Sequence, residues 1–335
     1  MAAVVGIRGW PRPVVLALET LVVAGCYFAA GRLGLLRQLT VQDAVVTPIW
    51  PPAGVAVACL FVFGLRAVPG IALGALFVVM SLTLPTLRPT VLGPVFGNTA
   101  APVCAYLLLR RVGFRTDLSR LRDGVALVFL GALASMLISA TVGVGLLVLT
   151  NQLTGSDFWA VWLAWWVGDA MGVVIVTPLL LLLHRARWPP GGDRWKWAEA
   201  AGMAAVAVVV LPSAAFYSVS LLFLVYPLLI WAALRFQLAG SLLCALAASI
   251  VTTVAATERA GSFAQLTDVQ IMVKLQAFNG SMALTALLLS AVITEQLNTR
   301  RSVERACQEL VEVLAHLTPG EPPPGRPAGR GGRTR

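Results

Sequence analysis

The sequence predicts an all-α, polytopic transmembrane bundle of about ten helices, with eight as the alternative count. Two observations carry this. The 335 residues are 58% hydrophobic and only 12% charged, with a mean hydropathy of +0.84. A soluble domain devotes about a quarter of its residues to charge. Apolar stretches of the length a bilayer demands, about 20 residues each, also follow one another from Val14 to Ile293. They are too long and too uniformly apolar for the alternating strands of a barrel.

In order, the helices are expected over 13–36, 49–65, 68–86, 90–109, 124–149, 159–183, 198–213, 217–234, 237–257 and 271–294. The first is long, contains Glu19 and lacks a small-residue cleavage site, so it reads as a retained helix. The second opens on Trp50-Pro51-Pro52-Ala53-Gly54, and proline suits a first turn, whose amide hydrogens lack partners anyway. The sixth contains Pro178, which can kink it. The stretch 198–234 is too long for one helix, and Leu211-Pro212-Ser213 divides it. Reading it as one helix, and merging another pair, gives eight. Phe63-Gly64-Leu65-Arg66 loosely echoes Ala233-Leu234-Arg235-Phe236, a match too short to define a repeat.

The net charge of +10 does not point to nucleic acid, because the basic residues sit in short connections. With the N-terminus inside, only Arg32, Arg37, Arg88, Arg259 and Lys274 fall outside. The inner loops hold Arg8, Arg12, Arg66, the Arg110–Arg122 run, Arg185, Arg187, Arg194, Lys196 and Arg235, before the basic tail is counted. That asymmetry places both termini in the cytoplasm. Residues 1–12 are then a cytoplasmic segment and 13–294 the membrane domain. Residues 295–317 form a cytoplasmic amphipathic helix, with Val303, Ala306, Leu310, Val313 and Leu317 at heptad a and d spacing. Residues 318–335, rich in Pro, Gly and Arg, are expected to be disordered.

The chemistry-bearing residues are few. In Trp165-Trp166-Val167-Gly168-Asp169-Ala170-Met171-Gly172, Asp169 is the one charge between Trp159 and Leu183. It lies about ten residues, roughly 15 Å, into its helix. A carboxylate at such depth costs at least a few kcal/mol and is a functional-site candidate; the alternative is a satisfied structural group. Trp162, Trp165, Trp166, Asp169 and Gly172 share one face, and Gly168 with Gly172 forms a GxxxG pair that allows another helix to approach closely. Trp50 is either an interfacial anchor or a ligand contact. Asn98, Lys274, Gln276 and Asn279 also enter the outer half of the bundle, and Lys274 is the cation available to Asp169. These groups either line one outward-facing pocket for a small molecule or make separate helix–helix hydrogen bonds. No metal-ligand spacing, cofactor fingerprint or catalytic motif occurs, so no enzyme activity, metal or cofactor is expected.

WPPAG opening a helix, FGLRAVPGIALGALF, the GNT around Asn98, WWVGDAMGVVIVTPLLLL and Leu275-Gln276-Ala277-Phe278 occur in that order. Together they resemble the first class of membrane-associated sensor (MASE) domains, over about residues 13–300. The resemblance implies an integral membrane sensory module of bacteria, placed before a cytoplasmic output such as a kinase or cyclase. No output domain follows here, so signalling is expected to pass to a partner protein or through a homodimer. A small-molecule secondary transporter is the alternative, and a purely structural membrane protein the third reading. Beyond those partners, the bilayer and an unidentified small ligand are expected.

Overall fold

The computed structural model describes residues 12–41, 44–82, 91–118, 120–185, 194–217 and 221–317. The expected segments 1–12 (but for Arg12) and 318–335, and the side chain of Leu317, lie outside them. The chain divides into two units, Met1–Thr294 and Glu295–Arg335.

Ten helices are found in the described residues. They are α1 Arg12–Leu35, α2 Pro51–Phe63, α3 Val68–Leu82, α4 Leu92–Arg111, α5 Leu121–Leu149, α6 Gly155–Arg185 and α7 Arg194–Phe216. One run, Val225–Thr257, breaks at Gln237 into α8 (225–236) and α9 (238–257), and α10 is Asp268–Leu317. One short β-hairpin, Leu39–Val41 against Ala44–Val46, was not expected from the sequence. By length and apolarity alone these helices make eight candidate membrane spans, because α2 with α3, and α8 with α9, each count as one.

Contacts show that both long spans fold back on themselves. Gly34 of α1 faces Trp50 and Pro51 at the start of α2, while Gly31 faces Val78 near the end of α3. Between these points the chain reaches the height of Thr20 and Val23, which pack on Gly70. The reversal follows Gly64, at φ 68° and ψ −158°, a conformation open to glycine. Gln237 adopts nearly the same one, φ 53° and ψ −141°. Arg235 just before it pairs with Glu199 at the start of α7, whereas Gly261, after α9, lies on Ala215 and Phe216 at the end of α7. The run therefore descends, turns at Gln237 and returns.

The helix α7 passes through Pro212 rather than breaking there. Proline removes one backbone donor, the one that would reach Val208 O, and a membrane helix tolerates that loss. The break comes after Phe216 instead. Pro178 likewise produces no break: the turn before it, Gly172–Val176, widens into a π-helix. Proline cannot donate to the carbonyl four residues back, and its ring crowds that turn.

The first unit is held by small residues that let helices approach closely. Tyr27, Ala56, Leu60, Ile71 and Ala75 form one cluster where α1, α2 and α3 meet. Large apolar side chains such as Leu21, Phe96, Val208, Val209 and Phe223 point outward and are more than half exposed. Facing hydrocarbon is the natural place for such a surface. The protein is a multi-pass membrane protein. In the second unit, Val303, Leu310 and Val313 are exposed on a helix whose Arg300 pairs with Glu304 one turn on.

Candidate functional site

The two distinctive strings of the sequence meet. After the β-hairpin the chain continues without regular structure, through a bend at Pro48, to α2, with Val46 and Thr47 buried. Trp50 N–H donates to Gly168 O at 2.9 Å. A Cβ on Gly168 would stand 2.4 Å from Thr47 O, and one on Gly172 1.9 Å from Trp50 O. The GxxxG pair thus admits a helix, the start of α2 at Gly172, together with the irregular Thr47–Trp50 segment that leads into it. One turn further, a Cβ on Gly54 would meet Gly172 O at 2.2 Å, and Thr177 Oγ1 donates to Gly54 O at 3.1 Å. The helix α2 has only 13 residues, about 20 Å, and its N-terminus is seated against the middle of α6. Irregular backbone at that depth persists only where protein covers it.

Asp169 lies on α6 roughly 20 Å from either end of Gly155–Arg185, and it is 1% exposed. Ser139 of α5 stands beside it, but the Ser139 hydroxyl donates to Asn98 Oδ1 at 3.2 Å. Tyr27 of α1 lies near Asp169, and its hydroxyl oxygen accepts from the Trp50 side chain. Pro51 and Pro52 remove two of the amide hydrogens that a helix start would otherwise offer an anion. Neither carboxylate oxygen of Asp169 has a hydrogen-bond partner among the described residues.

The tryptophans serve α5. Trp166 Nε1 donates to Leu133 O at 2.8 Å and Trp162 Nε1 to Thr141 Oγ1 at 3.1 Å, while the Trp165 ring lies on Gly143. The indole hydrogens of Trp162 and Trp166 are therefore not directed at Asp169. Lys274 is engaged elsewhere: Nζ donates to Ser262 O and Oγ at 3.0 and 2.8 Å and sits 4.8 Å from the Phe263 ring centre. The expectation that it pairs with Asp169 is corrected accordingly; from the outer end of α10 it reaches the loop that precedes the helix, which keeps its charge near the interface. Gln276 Nε2 donates to Ala164 O at 2.8 Å, which ties α10 to α6. Asn279 is buried on α10.

Sequence reasoning missed Tyr27, Ser139, Thr47 and Thr177. Tyrosine, serine and threonine are common in membrane helices, so nothing in their spacing set these four apart. Their position opposite Asp169 and the glycines emerges only from packing. Among the described residues no three of His, Cys, Asp or Glu come together as metal ligands would.

No curated protein and no solved structure matches the chain. The family model named MASE1 matches residues 20–297, most of the chain, and the ordered motifs WPPAG and WWVGDAMG fall inside that range. The chain belongs to the MASE1 family of membrane-associated sensor domains.

Proposed function

We propose that this membrane sensory domain detects a small molecule at Asp169 and relays its binding to the cytoplasm through α10. The observation that carries the reading is a carboxylate, buried and without a hydrogen-bond partner, at the contact of the Thr47–Trp50 segment with Gly168 and Gly172. An anion left so costs several kcal/mol. A ligand that supplies a donor or a positive group relieves that cost, and so favours whichever arrangement of α2 on α6 admits it. The hydrogen bond from Gln276 to Ala164 O couples α6 to α10, and α10 continues as helix to Leu317. The partner is a second copy or a separate signalling protein.

Asp169→Asn tests this. It keeps the shape and removes the charge. Because no cation is left unpaired and an uncompensated anion is removed, the variant should insert normally and melt no lower than the parent while the signalling output changes. An Asp169→Asn protein that folds normally and signals normally would sink the proposal, and loss of folded protein would favour a structural role.

Both termini are assigned to the cytoplasm, supported by the arginine-rich connections at the Arg115–Asp117–Arg185 end and the sparser charge at the Arg37–Glu258 end. A cysteine at Ser156 should react with an impermeant maleimide in intact cells, and one at Arg115 should not. The opposite pattern inverts the topology.

A transporter is the second reading. It draws on the short helix α2, whose N-terminus meets mid-height backbone, an arrangement that transporters use at binding sites. Accumulation of a solute in vesicles, abolished by Asp169→Asn, would favour it.

A further inference from the structure

A groove of about 460 Å³ lies on the surface of the membrane domain between α1 and α3. Leu21, Gly25 and Phe28 of α1 line it opposite Phe77 and Met80 of α3. The Phe28 and Phe77 rings meet edge to face, with centres 6.5 Å apart. Leu21, Gly25, Phe77 and Met80 are exposed. The one hydroxyl in the lining, Ser81 Oγ, is committed to Val78 O at 2.7 Å. The groove therefore offers an occupant no free polar side chain, and it suits hydrocarbon. Gly25 gives it depth. Gly31, Gly70 and Gly74 each bring α1 and α3 together, on Val78, Val23 and Tyr27, whereas nothing lies within 4 Å of a Cβ at Gly25.

An unpaired cation closes one end. Leu21, Gly25, Phe28 and Arg32 fall at i, i+4, i+7 and i+11, a straight row along α1. Arg32 stands one turn beyond Phe28, in the last turn of the helix. It is exposed and makes no hydrogen bond or ion pair among the described residues. Arg37, further along, is taken by Glu258. From Arg32 to Leu21 is about 16 Å of helix. That is the depth of one leaflet in a hydrocarbon core about 30 Å thick.

An interfacial guanidinium above an apolar groove one leaflet deep has the charge and the reach of a phospholipid. Arginine binds phosphate through charge-assisted hydrogen bonds. A second copy fits this face poorly, because a two-fold pairing through it would bring the two Arg32 side chains toward each other. We propose that the groove between α1 and α3 holds one phospholipid, its phosphate on Arg32 and an acyl chain running down past Phe28 to Leu21. This site is independent of what binds at Asp169.

Native mass spectrometry of the detergent-solubilised full chain, stripped of lipid and titrated with phosphatidylglycerol, reads the site. The first molecule should bind distinctly more tightly than those that follow. Arg32→Gln loses the charge-assisted contact and should weaken that first step about tenfold. Gly25→Leu fills the groove and should abolish the step, and it should leave the stripped protein melting no lower than the parent because its Cβ enters open space. Diacylglycerol with the same chains lacks the phosphate and should bind the parent no better than phosphatidylglycerol binds Arg32→Gln. Glycerol phosphate, which lacks the chains, should not compete. Uptake that is graded and equal in the parent and both variants is ordinary annular lipid and overturns the proposal. So does diacylglycerol binding as tightly as phosphatidylglycerol, or competition by glycerol phosphate. A dimer that Gly25→Leu disperses would put a second copy in the groove and overturn it as well.

Discussion

Gly172→Ala is expected to destabilise the membrane domain by at least about 3 kcal/mol, at the upper end of what overpacking does. The alanine Cβ would stand 1.9 Å from Trp50 O, and backbone, unlike a flexible side chain, has no rotamer to move into. Trp50 is also tied by its own amide to Gly168 O, so relief requires the whole Thr47–Trp50 segment to lift from α6. The expected result is a large loss of folded protein by gel filtration in detergent and a lowered melting temperature in what remains. Gly145→Ala is the control. Nothing lies within 4 Å of its Cβ, and exchanging a helical glycine for alanine is worth up to about 1 kcal/mol in favour of the helix. The two variants should move in opposite directions. Equal behaviour would mean that the meeting of the two motifs is not a tight backbone contact.

That contact also marks where the sequence was legible. The bundle, its helix number and the order of its loops followed from hydropathy, because a helix that crosses hydrocarbon must be apolar along most of its length. The prominence of Trp50-Pro51-Pro52-Ala53-Gly54 and of Gly168, Asp169 and Gly172 was visible as residue choices costly to keep without a reason. What the pattern could not carry was partnership. Gly168 and Gly172 announce a close helix, but not which one, nor that the irregular Thr47–Trp50 segment ahead of α2 packs on the same glycines. Lys274 and Asp169 look like natural partners along the chain, yet three-dimensional packing commits the lysine to Ser262. Pro212 was read as a break because proline removes a donor, whereas the helix absorbs that loss. In each case the local rule was sound, and a tertiary contact that leaves no mark on spacing decided the outcome.

The second large effect is expected in the last stretch of α10, after Thr294. Val303, Leu310 and Val313 are more than half exposed on the last stretch of α10, among charged neighbours such as Arg300, Glu304 and Arg305. An apolar stripe of about two heptads is too short to hold a coiled coil on its own strength, but it is long enough to be one face of a signalling contact. Leu310→Asp combined with Val313→Asp should therefore leave the melting temperature of the membrane domain at the parental value and abolish association with the second copy or partner. Each carboxylate buried in such an interface costs a few kcal/mol, and at about 1.4 kcal/mol per tenfold in affinity two of them weaken binding at least a hundredfold. Crosslinking through a single cysteine at Val303 measures the association directly. If the parent gives no crosslinked species and the double variant signals as the parent does, this stripe is not the route by which a change at Asp169 leaves the membrane, and the transporter reading gains at its expense.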